Sequence, residues 1–276
     1  MMRQARRGPF SCLIVAAVLV GACSRGAPTS SPIDEAEGVK KELVVFAAAS
    51  LTDAFGDLGL AFQDAHPGVT VVFNFAGSQA LRTQIEEGAV ADVFAPADPS
   101  VLEAIVGTDR GETGCGIEFA RNRLVVILPA DNPASIGSLA DLARPRIKLV
   151  LAADEVPVGR YARQALANLN LEFGPAFLES VLANVVSNEE NVKQVVAKVS
   201  LGEADAGIVY STDARAEPSL PTVPIEDPYN VIASYPLAVL PGAPEPNLAH
   251  QFVGFVLSPE GQAVLASYGF LPPRPG

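Results

Sequence analysis

The sequence predicts an α/β protein of two lobes built on largely parallel sheets. From Lys41 onward, short apolar runs alternate with segments of helical spacing, and one local style recurs: a strand, then small residues, then a helix start. An apolar fraction of 49% against 18% charge over 276 residues supplies a sizeable core.

The elements follow in order. "ELVVFAAA" reads as a buried strand, and Leu51, Ala54, Phe55, Leu58, Ala61 and Phe62 after it fall on one helical face that closes near His66, Pro67 and Gly68. "VTVVFNFA" is a second strand, followed by Gly77, Ser78 and a helix carrying Leu81 and Ile85 that stops at Gly88. "ADVFAPAD" is a third, entered through Asp92. "RLVVILPADNP" is a strand ended by its prolines, "SLADLA" a short helix, and "RIKLVLAA" another strand. "VPVGRYARQALANL" turns into a helix with Ala162, Ala165, Leu166 and Leu169 on one side. "NVVSNEENVKQVVAKV" predicts a helix with Val192, Val195, Val196 and Val199 inward, and "ADAGIVYSTDA" a strand with a turn. "NVIASYPLAVL" returns the chain to the first lobe, on which the helices of "NLAHQFVGFVLSPEGQAVLASYGF" pack. The expected division is residues 41–122 with 235–276 for one lobe and 123–234 for the other.

The first residues lie outside this scheme. Arg3, Arg6 and Arg7 precede "FSCLIVAAVLVGA", an apolar run too short to span a bilayer comfortably, which ends in small residues as a signal peptide does. Cys23 follows directly, an arrangement that resembles the bacterial lipoprotein signal, in which the cysteine becomes the lipidated first residue of the mature chain. Residues 23–40, rich in Ser, Pro, Gly and Ala, read as a disordered tether. With Cys23 lipidated, Cys115 has no partner, so no disulfide framework is available. Losing residues 1–22 removes three arginines and no acid, leaving the chain three units more negative than its formal −12. Such a chain is a poor partner for nucleic acid, which needs clustered Lys and Arg.

Function is read from how the helices begin. Ser50 in "AAS" and Ser78 in "AGS" each stand between the carboxyl end of a strand and a helix, where the oxygen can cap the helix and the hydroxyl can face a cleft. Asp53, three residues after Ser50, has capping-box spacing. In "DEVPVGRYARQ" the N–H groups of Val158 and Gly159 head a helix, and in "SNEENVKQ" the spacing of Ser187 and Glu190 marks another start that offers the N–H of Val192. Tyr210 closes "GIVY" at a strand's carboxyl end, where α/β sheets bind ligands. Free N–H groups in a helix's first turn form an anion site.

"VFAAASLTDAF", "FAGSQALRTQIEEGAVADVFAPAD", "DEVPVGRYARQAL" and "GEADAGIVYSTDA", in this order and spacing, resemble the molybdate-binding proteins of bacterial ATP-binding-cassette importers, over nearly all of Lys41 to Phe270. The resemblance implies a two-lobed periplasmic binding protein, type II-like, with the ligand in the cleft between lobes joined by crossing strands. It implies an extracytoplasmic, lipid-anchored monomer without a cofactor, which captures molybdate or tungstate and delivers it to a membrane permease. Carried over position by position, the oxyanion takes hydrogen bonds from Ser50, Ser78, the N–H groups of Val158 and Val192, and the Tyr210 hydroxyl. Where the family often has a run of serines this chain has Gly77, Ser78 and Gln79, so Gly77 or Gln79 can share the role of Ser78.

A tetrahedral dianion without protons only accepts hydrogen bonds, so its site needs donors on all sides and no formal cation. Hydrogen bonds to a charged group contribute about 1.5–3 kcal/mol each, so roughly six give on the order of 9–18 kcal/mol before ordering and desolvation costs. Nanomolar binding needs about 12 kcal/mol. Arg82, Arg160 and Lys193 lie within a turn of the helix starts and read as solvated; Asp53, Glu189 and Glu190 read as caps. A site for sulfate or another tetrahedral oxyanion is the nearest alternative. A serine hydrolase using Ser50 or Ser78 lacks a base, since His66 and His250 lie elsewhere in the layout and no GxSxG surrounds either serine. Two histidines and one spare cysteine make no metal-ligand cluster.

Overall fold

Val, Phe and Leu crowd the first element of the computed structural model, β1 (Lys41–Ala48), which is buried on both faces at its carboxyl end, as suits an inner strand of a sheet covered on both sides. The structure describes residues 41–107 and 116–275. The lipoprotein-like leader, Cys23, the tether and Cys115 lie outside the described residues.

After β1 a single 3-10 turn, Ala49–Leu51, leads into α1 (Thr52–Ala65). Then come β2 (Val69–Ala76), α2 (Ser78–Glu86), β3 (Val93–Ala95), α3 (Pro99–Val106) and β4 (Ile117–Asn122). The second half of the alternation holds β5 (Leu124–Ile127), β6 (Leu149–Ala152), α4 (Pro157–Asn168), α5 (Asn170–Phe173) and α6 (Phe177–Leu182). It continues through β7 (Val185–Glu189), α7 (Val192–Ser200), β8 (Ala206–Tyr210), α8 (Ser211–Ala216) and β9 (Thr222–Pro224). The chain ends with β10 (Ala233–Val239), α9 (Pro246–Leu257) and α10 (Pro259–Ser267).

Two five-stranded sheets result, ordered β2-β1-β3-β10-β4 and β7-β6-β8-β5-β9. Their plans match. In each, the second strand of the order is parallel to both neighbours (β1 to β2 and β3; β6 to β7 and β8), and the fourth, a crossing strand, runs antiparallel to both of its own (β10 to β3 and β4; β5 to β8 and β9). The sheets are therefore mixed, not largely parallel. The difference comes from the chain's two passages between sheets, at Arg123 and between β9 and β10, which insert strands that run against the βα units.

A second expectation also changes. The stretch predicted as one helix from Asn184 splits into β7 and α7: Val185 to Glu189 alternates in exposure as an edge strand does, and Asn191, not Ser187, caps α7 by accepting the Gln194 N–H at 3.1 Å. Ser187 instead bonds the Glu189 carboxylate.

The apolar faces read from the spacing are buried: Ala54, Phe55, Leu58 and Phe62 of α1, Ala162, Ala165 and Leu166 of α4, and Val192, Val195, Val196 and Val199 of α7. Ala61 is only half-buried. Phe252 of α9 meets Phe62 edge to face at 5.3 Å between centroids, which fastens the terminal helices to α1. Among the described residues no helix is long and apolar enough to cross a membrane.

A candidate oxyanion cleft between the two sheets

In β1 to β3 and in β6 to β8, the carboxyl ends of the parallel strands lead into short connections that carry helix starts. Ala47, Ala48 and Ala49 place nothing larger than a methyl group before Ser50, so the chain tightens into the 3-10 turn and Ser50 stays almost wholly buried at the sheet's edge. Its hydroxyl lies 3.0 Å from the Tyr235 hydroxyl. The capping box expected of Ser50 and Asp53 does not form. With the 3-10 turn intervening, α1 begins at Thr52, whose own hydroxyl donates to Ala49 O at 2.7 Å.

Ser78 is the first residue of α2 rather than its cap, a place taken by Gly77. Its Oγ accepts the Ala97 N–H at 3.0 Å, which leaves the hydroxyl proton for another acceptor. In α4 Pro157 occupies the first position, and the first helical bond runs from Arg160 N to Val156 O, so the N–H groups of Val158 and Gly159 precede the ladder. Val192 opens α7 in the same way behind Asn191. Tyr210 ends β8, fully buried, and its hydroxyl has no hydrogen-bond partner among the described residues. Burial holds this phenol well above the ordinary 10.0, with Tyr235 and Tyr161 pushing the same way, so it remains a donor at any physiological pH.

One pocket, enclosing about 220 Å³ with its mouth included, brings together Ser50, Ser78, Val158, Val192 and Tyr210. Ala48, Ala49, Ala76, Gly77, Ala97, Val156, Pro157 and Asn191 complete its lining, and no charged side chain is among them. Gly77 shares the wall; Gln79 does not, and its amide donates instead to Glu190 O at 2.9 Å across the cleft.

The nearby charges pair with one another instead of lining the pocket. Arg82 holds Glu86 at 2.7 Å on α2. Arg160 and Tyr161 of α4 both reach Asp98, which also caps α3 by accepting the Ser100 N–H at 2.7 Å. Burial works to raise Asp98, but the bonds from Ser100, Tyr161 and Arg160 outweigh it and hold the carboxyl below the ordinary 3.8. Lys193 of α7 binds Asp53 of α1 at 2.8 Å and stands 3.6 Å from Asp213, whose burial pushes it up to about 7 against the pull of Lys193. Asp53 thus bridges to the other sheet's helices, Glu189 pairs with Lys198 at 2.7 Å, and Glu190 gives its carbonyl to Gln79; none of the three caps a helix. Asp98 was not singled out in the sequence, although Asp followed by Pro99 at the first helical position is a legible start signal.

His66 Nδ1 is 2.8 Å from Phe62 O with its ring stacked on Phe62, and His250 is exposed on α9, so neither approaches a pocket serine. Among the described residues no three His, Cys, Asp or Glu side chains converge as metal ligands do.

Two mixed α/β sheets, linked by crossing strands, with a small donor-lined cleft at the helix starts of both, define a two-lobed periplasmic binding protein. A profile of the bacterial extracellular solute-binding protein family matches residues 43–271. The molybdate-binding protein ModA of Mycobacterium tuberculosis is 38% identical over 267 residues, 96% of this chain and 97% of that protein. The putative ABC transporter substrate-binding lipoprotein YvgL of Bacillus subtilis is 29% identical, covering 95% of this chain and 96% of its own. The periplasmic molybdate-binding protein of Azotobacter vinelandii superposes with a TM-score of 0.71 at 21% identity, over 84% of this chain and all of that one. The chain belongs to the bacterial extracellular solute-binding protein family.

Proposed function

We propose that this protein captures molybdate or tungstate in the cleft and delivers it to an ABC permease, as a monomer held at the outer face of the cell membrane by a lipid on Cys23. The lobes are residues 41–122 with 235–276 and residues 123–234. Ser50 and Ser78 act as donors and not as nucleophiles, and with Val158 and Val192 N–H and the Tyr210 hydroxyl they surround the anion.

One observation carries the reading: Ser50, Ser78 and Tyr210 and the helix-start residues Val158 and Val192, drawn from both sheets, line one small pocket that has no charged side chain in its wall. An acceptor-only dianion matches such a site, and the first-turn dipoles of α2, α4 and α7 favour its charge. The 38% identity to a molybdate-binding protein over nearly the whole chain supports the same ligand, and the similarity to a lipoprotein supports the anchor. Isothermal titration with molybdate, tungstate, sulfate and phosphate tests it. Tight binding of molybdate and tungstate with weak or no binding of the others is expected; heat with sulfate and none with molybdate overturns it.

Contacts across the cleft give this reading a kinetic consequence. Asp98→Asn keeps the cap on α3 but loses the charge that Arg160 and Tyr161 hold from the other lobe. Arg160 is partly exposed, so the loss is about 1 kcal/mol, roughly fivefold, expressed as faster ligand release in stopped-flow measurements. The sign with pH follows from the lowered carboxyl. Its contribution to closure is complete above the ordinary value of 3.8 and disappears as pH falls through the lowered one. A pair of fluorescent labels, one on each lobe, should therefore report unchanged closure from neutral pH down to that range and opening below it.

A further inference from the structure

Beyond the five donors, one buried group governs what Ser50 can offer. Tyr235 lies inside β10, wholly buried, with its ring packed edge to face on Phe119, Tyr210 and Phe270 at 6.3, 5.7 and 5.5 Å. Burial pushes its phenol far above the ordinary range, so the proton is permanent. That proton needs an acceptor. Asn122 stands beside it, but both lone pairs of Asn122 Oδ1 are taken, by the Arg123 N–H and the Ser211 hydroxyl at 2.9 Å each, and its Nδ2 donates to Thr212 at 2.8 Å. The Tyr210 ring packs against Tyr235 too, but its hydroxyl makes no hydrogen bond among the described residues, so Ser50 Oγ, 3.0 Å away, is the acceptor within hydrogen-bond distance.

We infer that Tyr235 is a positioning and specificity residue: by donating to Ser50 Oγ it fixes the serine proton toward the pocket and makes Ser50 an obligate donor to the bound anion. The opposite orientation, with Ser50 donating to Tyr235, leaves a buried phenol proton with no other acceptor at hydrogen-bond distance among the described residues. With a lone pair of Ser50 occupied by Tyr235 and one of Ser78 occupied by Ala97 N–H, both serines present protons to the ligand. A fully deprotonated tetrahedral oxyanion accepts from both. An anion that carries a proton, such as hydrogen phosphate, meets a donor where it needs an acceptor. Tyr235 therefore excludes protonated anions from a distance, without touching them.

This role rests on the oxyanion reading proposed above, and the experiment separates the two. Wild type, Tyr235→Phe, Ser50→Ala and the double variant are titrated with molybdate and with inorganic phosphate near neutral pH. Phenylalanine retains the three ring contacts, and thermal melts verify that each variant is folded. Tyr235→Phe is expected to weaken molybdate about 3–20-fold and to narrow the molybdate-to-phosphate ratio, because Ser50 is then free to accept; in the Ser50→Ala background it should change neither. In the ligand-free wild type, the Tyr235 phenolic proton should give a slowly exchanging NMR resonance with a cross-peak to the Ser50 β-protons. Molybdate binding by wild type with additive losses in the double variant, or an unchanged ratio in Tyr235→Phe, overturns the role of Tyr235 alone. A wild type that binds no molybdate overturns the function and this role with it.

Discussion

Gly77→Ala is expected to bind molybdate about 5–150-fold more weakly than the parent while melting at nearly the same temperature. Gly77 has φ −58° and ψ 137°, a conformation that alanine adopts without strain, so the substitution leaves α2 and its own sheet intact. The obstacle lies across the cleft. A Cβ at this position stands 2.3 Å from Glu190 O, a main-chain atom of the connection between β7 and α7. Main chain cannot step aside as a flexible side chain does, so the lobes have to part. Overpacking of this kind costs about 1–3 kcal/mol, and each 1.4 kcal/mol is tenfold in affinity. Isothermal titration reads the loss, and small-angle scattering with saturating molybdate reads the wider cleft. Gly159→Ala supplies the contrast. Its Cβ would meet Ala153 O at 2.0 Å and Ala152 O at 2.4 Å, main-chain atoms at the end of β6 in the same lobe, so opening the cleft relieves nothing and the melting temperature falls instead. A Gly77→Ala protein with parental affinity would show that the two sides need not approach so closely for ligand to be held.

The difference between those two glycines marks what a sequence can and cannot convey. Ser50, Ser78, Val158, Val192 and Tyr210, which line one pocket, are legible because each rests on a local pattern: small residues after a strand, a helix start within two or three residues, a tyrosine at a strand's end. Such patterns are set by neighbours along the chain. Tyr235 has no such signal. In "NVIASYPLAVL" it reads as a core aromatic, and its meaning comes from Ser50, 185 residues away. The clasp of Asp98 with Arg160 and the bridge of Lys193 to Asp53 span 62 and 140 residues and are equally invisible to spacing. Local signals also misled where two competed. The spacing of Ser187 and Glu190 imitates a capping box, yet Asn191 stands nearer the start of α7, and two β-branched valines before Ser187 pull the stretch into an edge strand. The mixed character of the sheets escaped because β5 and β10 are legible only as apolar runs, and an apolar run carries no sign of the direction in which its strand pairs.

Ser78→Ala should lower both affinity and stability, and the two losses have separate causes. The affinity loss is that of one donor to a dianion, about 1.5–3 kcal/mol or roughly 10–150-fold. The stability loss is that of the Ala97 N–H, which now ends in the core without its acceptor, at about 1–3 kcal/mol. At about 2–4 °C per kcal/mol for a chain of this size, the ligand-free melting temperature falls measurably. Ser78 differs here from Tyr235 in a way that titration can resolve. Deleting a donor that faces the ligand weakens every tetrahedral oxyanion together, so the molybdate-to-phosphate ratio of Ser78→Ala stays near that of the parent. Releasing Ser50 through Tyr235→Phe alters the polarity of one wall and moves the ratio. Parental molybdate affinity in Ser78→Ala, with its melting temperature lowered, would leave Ser78 a purely structural acceptor for Ala97 and remove it from the anion's shell.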